Sequence, residues 1–183
     1  MIDFLKSLMM KKKYVCVHAD EANPSRFIFG KLIGLDSAFF AISMVSPEGD
    51  YDGVLIKPIE DVIYTETSNS YEKNMSVLMK RRGFFEKIIE VDESDLLRWS
   101  LSYAMDNRTI VSIELCHSGV DDVSGFVSAI NENICQVKCV DNNGVEDGFS
   151  YIKLSEITQL CFDSCDEQRL FALYVSNQEN DFQ

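Results

Sequence analysis

The sequence predicts a mainly β fold of two tandem small β-barrels, each with a short N-terminal helix and a C-terminal helix. Two observations carry this prediction. Short apolar segments alternate with turn sequences rich in glycine and asparagine, which is typical of β-strands. A set of glycines also recurs with the same spacing in the two halves of the chain. With 183 residues, 46% of them hydrophobic, the chain is long enough to bury a core in each half.

The internal repeat is marked by three glycines in each half, separated by 19 and 4 residues and offset by 95. These are Gly30, Gly49 and Gly53 in the first half and Gly125, Gly144 and Gly148 in the second. Apolar positions stay in phase at the same offset without a gap, so that Val15 is matched with Ile110. We therefore expect two copies of one unit, at residues 1–83 and 92–178.

Hydrophobic periodicity predicts the same order of elements in both copies: a helix, five strands and a second helix. The first copy has a predicted helix at Ile2–Met10, strands at Tyr14–His18, 27–35, Phe39–Val45, 52–57 and 59–65, and a closing helix around 71–79. The second copy has a predicted helix at 94–105, strands at 109–116, Val123–Ile130, Ile134–Val140, 147–153 and 155–162, and a closing helix around 170–174.

Glycines mark several predicted boundaries. Gly49 and Gly144 end the turn sequences Pro-Glu-Gly and Asn-Asn-Gly, where glycine takes positive φ at little cost. Gly83 follows three basic residues and is a suitable C-terminal stop for the second helix. A helix followed by five short strands predicts a small closed barrel in each copy.

The segment Phe29-Gly30-x-Leu32-x-x-x-Asp36 resembles the first motif of the Sm-like family of SH3-type barrels. The second copy keeps Gly125 and Val127 and has Asn131 in place of the acid. The apolar pairs Ile59-x-x-Val62 and Leu154-x-x-Ile157 resemble the end of the family's second motif. The resemblance implies small five-stranded barrels in which strands four and five are open edges, which Sm-like proteins join between neighbouring units.

Two departures weaken the uridine-binding site that the family implies. The base-contacting asparagine of RNA-binding members is replaced by Phe40 in the first copy and Cys135 in the second. The Arg-Gly pair of the second motif is replaced by Lys57-Pro58 and Lys153-Leu154. The resemblance therefore supports the fold more strongly than the family's RNA-binding activity.

Charge is divided unequally between the copies. Residues 1–90 hold 12 Lys or Arg and 13 Asp or Glu, whereas residues 91–183 hold 5 and 17. The net charge of -13 disfavours binding of bare nucleic acid by the whole surface. The dense basic runs lie at predicted helix ends and consist of Lys11, Lys12, Lys13, Lys80, Arg81 and Arg82. They are either complements to the helix dipoles or one basic site for nucleic acid or an acidic protein.

The cysteine and histidine side chains are the candidates for metal binding or nucleophilic catalysis. Cys135 with Cys139, and Cys161 with Cys165, have the spacing of paired zinc ligands. Residues four apart on a strand lie about 13 Å apart, too far to bind one ion together, so we expect no metal site and reduced, packed thiols.

Two Cys–His couples, Cys16 with His18 and Cys116 with His117, lack any recognisable third group or oxyanion motif. No catalytic or cofactor-binding motif is found, so we expect no catalytic residues, no cofactor and no enzyme activity.

We therefore expect a non-enzymatic interaction module that binds protein partners or assembles with itself, with RNA or DNA association through the basic runs as the alternative. No export signal is recognisable and no apolar run approaches the roughly 20 residues of a membrane span, so we expect a cytoplasmic protein with no membrane contact. The apolar strand-four and strand-five segments predict a homo-oligomer through strand edges. They are 54–56 and 59–64 in the first copy and 149–154 and 157–162 in the second. Because nearly all excess negative charge lies in the second copy, we expect unlike units to meet, more strongly at high salt.

Overall fold

A computed structural model describes residues 1–180 and shows a mainly β protein with four helices, which confirms the predicted fold class at this level. The chain divides into two compact units, Met1–Leu96 and Leu97–Gln183. Each unit contains five antiparallel strands.

The first unit begins with a helix and ends its strands with a second helix. Its elements are α1 (Ile2–Met10), β1 (Tyr14–His18), β2 (Ile28–Leu35), β3 (Phe39–Val45), β4 (Tyr51–Pro58), β5 (Tyr64–Glu66) and α2 (Ser70–Arg82). The strand order is β5-β1-β2-β3-β4, with all neighbours antiparallel. A single 3-10 turn, Ile59–Asp61, occupies the start of the segment predicted as the fifth strand, so β5 is shorter than expected.

The second unit has the same succession of elements. They are α3 (Leu96–Asn107), β6 (Ile110–Leu115), β7 (Val123–Ile130), β8 (Ile134–Val140), β9 (Glu146–Lys153), β10 (Ile157–Phe162) and α4 (Cys165–Asn180). A 3-10 turn, Leu154–Glu156, again separates the fourth and fifth strands. The strand order, β10-β6-β7-β8-β9, places the fifth strand first and the fourth strand last, as in the first unit.

The closed barrels predicted from the sequence are not confirmed. In each unit the fourth and fifth strands stand at opposite ends of the strand order, and no pairing within residues 1–180 joins them inside a unit. The strands nevertheless bend, because the second and third strands of each unit shift register near Leu32 and Val127.

Strand register corrects the gap-free alignment of the two halves. Val15 lies opposite Gly30, whereas Val111, one residue later than expected, lies opposite Gly125. The offset is therefore 96 in the first strand and 95 from the glycine onward, because the segment between the last paired residues of the two strands, 18–27 in the first unit and 114–122 in the second, is one residue longer in the first unit. Matching Val15 with Ile110 was wrong for this reason.

The same type of turn joins the second and third strands in both units. The Oδ1 atom of Asp36 accepts hydrogen bonds from the backbone of Ala38 and Phe39, at 2.7 and 2.6 Å. The Oδ1 atom of Asn131 accepts from the second and third residues after it, at 3.0 and 2.9 Å. Aspartate and asparagine both form such turns, because each presents a short side-chain oxygen to the following backbone.

The closing helix of each unit packs on the sheet. Met75 and Met79 of α2 pack with Cys16, Phe29 and Val45. Leu170 of α4 packs with Ile110 and Val140. The apolar faces of these helices are therefore held by burial, which stabilises short helices more than intrinsic propensity does.

The glycine of the second strand provides a test of strand packing. A Cβ atom at Gly30 would lie 2.1 Å from the carbonyl oxygen of Ser43, so the backbones would have to separate. We expect Gly30→Ala to lower the free energy of unfolding by about 2–3 kcal/mol. Gly83→Ala is the control, because its Cβ meets nothing within 4 Å and only its φ of 70° is unfavourable, costing about 1 kcal/mol. Urea unfolding followed by circular dichroism measures both, and equal losses would contradict the steric explanation.

Candidate functional site

The strongest candidate interaction surface is the outer side of β9, the last strand in the order of the second unit. Phe149 is 54% exposed and Tyr151 is 70% exposed, although both lie within a regular strand. Ile152 points to the opposite side and is buried. We use the name β9 edge for residues 149–153, meaning the backbone side that faces away from β8 together with the exposed side chains.

The backbone of the β9 edge carries unpaired hydrogen-bonding groups. Leu154 donates its N–H to the carbonyl of Asn133 at 2.9 Å, so the backbone groups of residue 154 face β8. Backbone groups alternate in direction along an antiparallel strand. Phe149, Tyr151 and Lys153 therefore direct their N–H and C=O groups away from β8, towards the open side.

Charged side chains beside the β9 edge are largely compensated. Lys138, which lies opposite Phe149 on β8, forms an ion pair with Glu146. The hydroxyl of Tyr174 also donates to Glu146, at 2.9 Å, and these two partners hold the pKa of the Glu146 carboxyl below its usual value. Lys153, which is exposed, is the last residue of the β9 edge.

The fourth strand of the first unit differs sharply from β9. Val54 and Ile56 of β4 are fully buried. At the same positions along its strand, β9 carries Phe149 and Tyr151, both exposed. The sequence indicated an apolar edge segment at 149–154, and only the structure shows that its aromatic side chains stand in the open.

Both predicted basic runs lie on the first unit and are exposed. Lys11, Lys12 and Lys13 follow the last turn of α1, and Lys12 has a positive φ of 51°. Lys80, Arg81 and Arg82 form the last turn of α2. The runs thus extend from two different helices.

The second run has two structural roles. Gly83 caps α2 in the left-handed conformation, and the three cations before it complement the helix dipole. Arg82 also forms two hydrogen bonds with Asp50, at 3.3 and 2.5 Å. The guanidinium holds the pKa of the Asp50 carboxyl below its usual value. One of the three positive charges of this run is therefore paired with a carboxylate inside the unit.

The candidate couple of Cys16 and His18 is not arranged as a nucleophile and base. The two ring nitrogens of His18 lie 2.8 Å from the Pro24 carbonyl and 3.3 Å from Glu66 Oε2, and the ring stacks on Tyr64. Burial raises the pKa of the Cys16 thiol, although the amide of Asn69, 3.7 Å away, acts against this. A raised pKa disfavours the thiolate that nucleophilic attack requires.

The second couple has the same difficulty. Cys116 is exposed and donates from its Sγ to Glu156, at 3.4 Å. This hydrogen bond to a carboxylate raises the pKa of the Cys116 thiol. Cys116 and His117 both have positive φ, 52° and 54°, because they form the tight turn after β6.

The cysteines predicted to be too far apart for a shared metal do not form a ligand group. Within residues 1–180, no three Cys, His, Asp or Glu side chains converge in a way that would hold a metal ion. Cys135 is fully buried on β8, and burial raises the pKa of its thiol to about 11. Cys161 is buried, whereas Cys165 is exposed at the start of α4.

A buried carboxylate, Glu167, was not singled out from the sequence. It accepts hydrogen bonds from Ser112 Oγ at 2.6 Å and from the backbone of Ser164 at 2.8 Å. The signal was present as Ser164-x-x-Glu167, the capping box that begins a helix. Glu167 therefore links the start of α4 to β6 through hydrogen bonds, and this structural role accounts for its burial.

Cys135 and Lys153-Leu154, which stand where RNA-binding Sm-like proteins have their motif residues, lie at the start of β8 and at the end of β9. A cavity of about 300 Å³ lies there, lined by Asn133, Ile134, Lys153, Leu154 and Ser155. Cys135, which replaces the base-contacting asparagine, is buried and is not among the lining residues.

No family model matches the chain, and neither a curated protein nor a solved structure is found to be similar to it. Among the described residues, no helix is both long enough and apolar enough to cross a membrane.

Thiol reactivity tests the burial of the cysteines. We expect Cys116 and Cys165 to react first with a thiol reagent in the native protein, and Cys16, Cys135 and Cys161 to react only after unfolding, because the first two are exposed and the latter three are buried. Cys135 is the most resistant, since its raised pKa leaves almost no thiolate near neutral pH.

Mass spectrometry after timed alkylation locates each modified cysteine. Alkylation in denaturant, where all six cysteines become accessible, provides the control. Rapid native labelling of Cys135 would show that β8 is not packed as described.

Proposed function

We propose that this protein is a non-enzymatic interaction module, built from two Sm-like units, which binds other polypeptides through exposed strand edges. The β9 edge is the observation that carries the proposal. It combines unpaired backbone groups with two exposed aromatic side chains, the combination by which a sheet edge accepts a further strand.

The common succession of elements supports two Sm-like units. Each has a helix, five antiparallel strands with the fourth and fifth at the two ends, and a closing helix. Asp36 and Asn131 form matching turns at the positions of the first motif. An internal duplication, with one residue gained or lost between the first and second strands, accounts for these common features.

A binding role is also supported by the chemistry of the thiols. The pKa values of Cys16, Cys116 and Cys135 are all raised, by burial or by a neighbouring carboxylate. Raised values suit packed or hydrogen-bonded thiols better than nucleophiles. The exposed aromatic residues, by contrast, belong to the residue types that are enriched at protein interfaces.

Partner capture tests this function. Phe149→Lys places a charge on the β9 edge and is expected to remove most partner binding, because charged edge strands resist pairing. Phe85→Lys is the matched control, since Phe85 is 80% exposed but lies outside the strands.

Both variants and the unaltered protein are used as baits in source-cell extract, and the recovered proteins are quantified by mass spectrometry. A set of partners retained by the control and lost with Phe149→Lys is the expected result. Equal recovery with both variants would show that the β9 edge is not the binding surface.

The alternative function is association with RNA or DNA through the first unit. The observation in its favour is that Lys11, Lys12 and Lys13 are all exposed on the less acidic unit. Electrostatic steering by the acidic second unit opposes it.

Salt dependence distinguishes this alternative. If single-stranded RNA binds, changing Lys11, Lys12 and Lys13 to Gln is expected to flatten the log–log salt slope by about 2, at roughly 0.7 per lost phosphate contact. Changing Arg108, Lys138 and Arg169 to Gln removes the same charge from the second unit and is the control. Fluorescence anisotropy across a salt series provides the measurement, and equal slopes for the two triple variants would exclude Lys11–13 as the RNA contact.

A further inference from the structure

We infer that the partner of the β9 edge is the β9 edge of a second copy of this chain, paired antiparallel about a two-fold axis at Tyr151. This inference rests on the proposed function and specifies its partner. It follows from three properties of residues 149–153: the direction of their backbone groups, the pattern of their side chains and the local charge.

Backbone direction restricts which residues oppose one another. Phe149, Tyr151 and Lys153 present their N–H and C=O groups to the open side, as the hydrogen bond from Leu154 to Asn133 indicates. In an antiparallel pair of two such edges, these residues have to lie opposite one another. Ser150 and Ile152 face β8 with their backbone groups and do not take part.

The regular part of the edge is symmetric about Tyr151. The register with β8 is continuous from Phe149 to Lys153 and shifts before Phe149, next to Gly148, whose φ is 72°. Centring the pair on Tyr151 uses the whole regular segment and excludes the bulge. Tyr151 then lies opposite Tyr151 of the second copy.

The side chains match in this register. Phe149 lies opposite Lys153 of the second copy, and Lys153 lies opposite Phe149 of the second copy. A lysine ammonium over an aromatic ring is an attractive contact, and an aromatic pair directly across two strands also stabilises a sheet. The three exposed side chains of each edge are thereby covered by their own counterparts.

The charges close to the β9 edge permit two copies of it to pair. Within β8 and residues 149–153, the charged side chains are Lys138 and Lys153, and Lys138 is already paired with Glu146. No carboxylate of residues 149–153 is brought against a carboxylate. This differs from the association of unlike units expected from net charge, because the acidic residues of the second unit lie outside this segment. Asp147 and Glu156 lie within three residues of its two ends, and salt screens the repulsion between them.

β5, which ends the strand order of the first unit, competes less well for β9. It spans only three residues, Tyr64–Glu66, and would bring the carboxylate of Glu66 into the contact. Pairing of β9 with β5 of the next copy would also be head-to-tail and would form rings or open chains. Pairing of β9 with itself closes at a dimer, because the same patch serves both partners.

Sedimentation equilibrium of the purified full chain tests the dimer. We expect a monomer–dimer equilibrium with no larger species, shifted to the dimer as salt is raised. Tyr151→Pro removes an N–H that faces the open side and leaves the hydrogen bonds to β8 intact, as proline does when it occurs in edge strands. We expect it to weaken the dimer by on the order of tenfold or more, whereas Phe85→Lys leaves it unchanged.

Cross-linking tests the register and serves if Tyr151→Pro does not fold. Residues opposed in a hydrogen-bonded antiparallel pair have Cα atoms about 5.5 Å apart, within the roughly 4.4–6.8 Å of disulfides. Tyr151→Cys is introduced after the exposed Cys116 and Cys165 are changed to Ser. Ile88→Cys in the same background is the control, because Ile88 is 91% exposed and lies outside the strands. We expect mild oxidation to link Tyr151→Cys into dimers well before Ile88→Cys.

Three results would overturn the inference: a monomer at every concentration and salt, larger head-to-tail assemblies, or equal cross-linking of the two cysteine variants. These outcomes are separate from a failure of the proposed function. A chain that stays monomeric, yet loses other partners through Phe149→Lys, retains the strand-edge function with a different partner. A dimer that Tyr151→Pro dissociates supports the self-pairing directly.

Discussion

The second strand of each unit passes the third at a glycine, where a side chain would collide with the neighbouring backbone. A Cβ atom at Gly30 or at Gly125 would lie 2.1 Å from a carbonyl oxygen of the neighbouring strand. Both residues lie beside the register shifts at which the second and third strands bend. Because five short strands can enclose a core only if they curve, the position of the closing helices and of both strand edges depends on this approach.

The two units have the same strand order, but their fourth strands differ in what they expose. The fourth strand of the first unit carries buried aliphatic residues, including Val54 and Ile56, whereas β9 carries exposed aromatic residues at those positions. Short edge strands and edge charges are the usual protection against unwanted pairing. β5 has that protection in its three-residue length, whereas residues 149–153 of β9 form a longer regular edge with Lys153 as its one charged side chain. An edge left open with aromatic side chains is therefore the feature that distinguishes the second unit.

The chemically reactive side chains serve mainly to connect elements within each unit. Glu167 joins the start of α4 to β6, and His18 joins β1 to the loop at Pro24 and to Glu66. Burial raises the pKa of Cys135, which belongs to the sheet core. Buried polar groups of this kind require hydrogen-bond partners, and here those partners link elements distant in the sequence.

From the sequence alone, the helices, the strands and the order of elements in each half could be predicted, apart from the 3-10 turns before the fifth strands. Glycine spacing and hydrophobic alternation predicted the helices and strands because both patterns reflect local backbone geometry and the period of burial. The sequence could not determine the one-residue shift between the halves, which appears only when Val111, rather than Ile110, is seen opposite Gly125. Nor could it show that Tyr151 is exposed while Ile56 is buried, because an apolar residue on a strand has the same local pattern whether or not another element covers it. Tertiary structure decided the candidate site, since exposure and the direction of backbone groups depend on which strands end as neighbours.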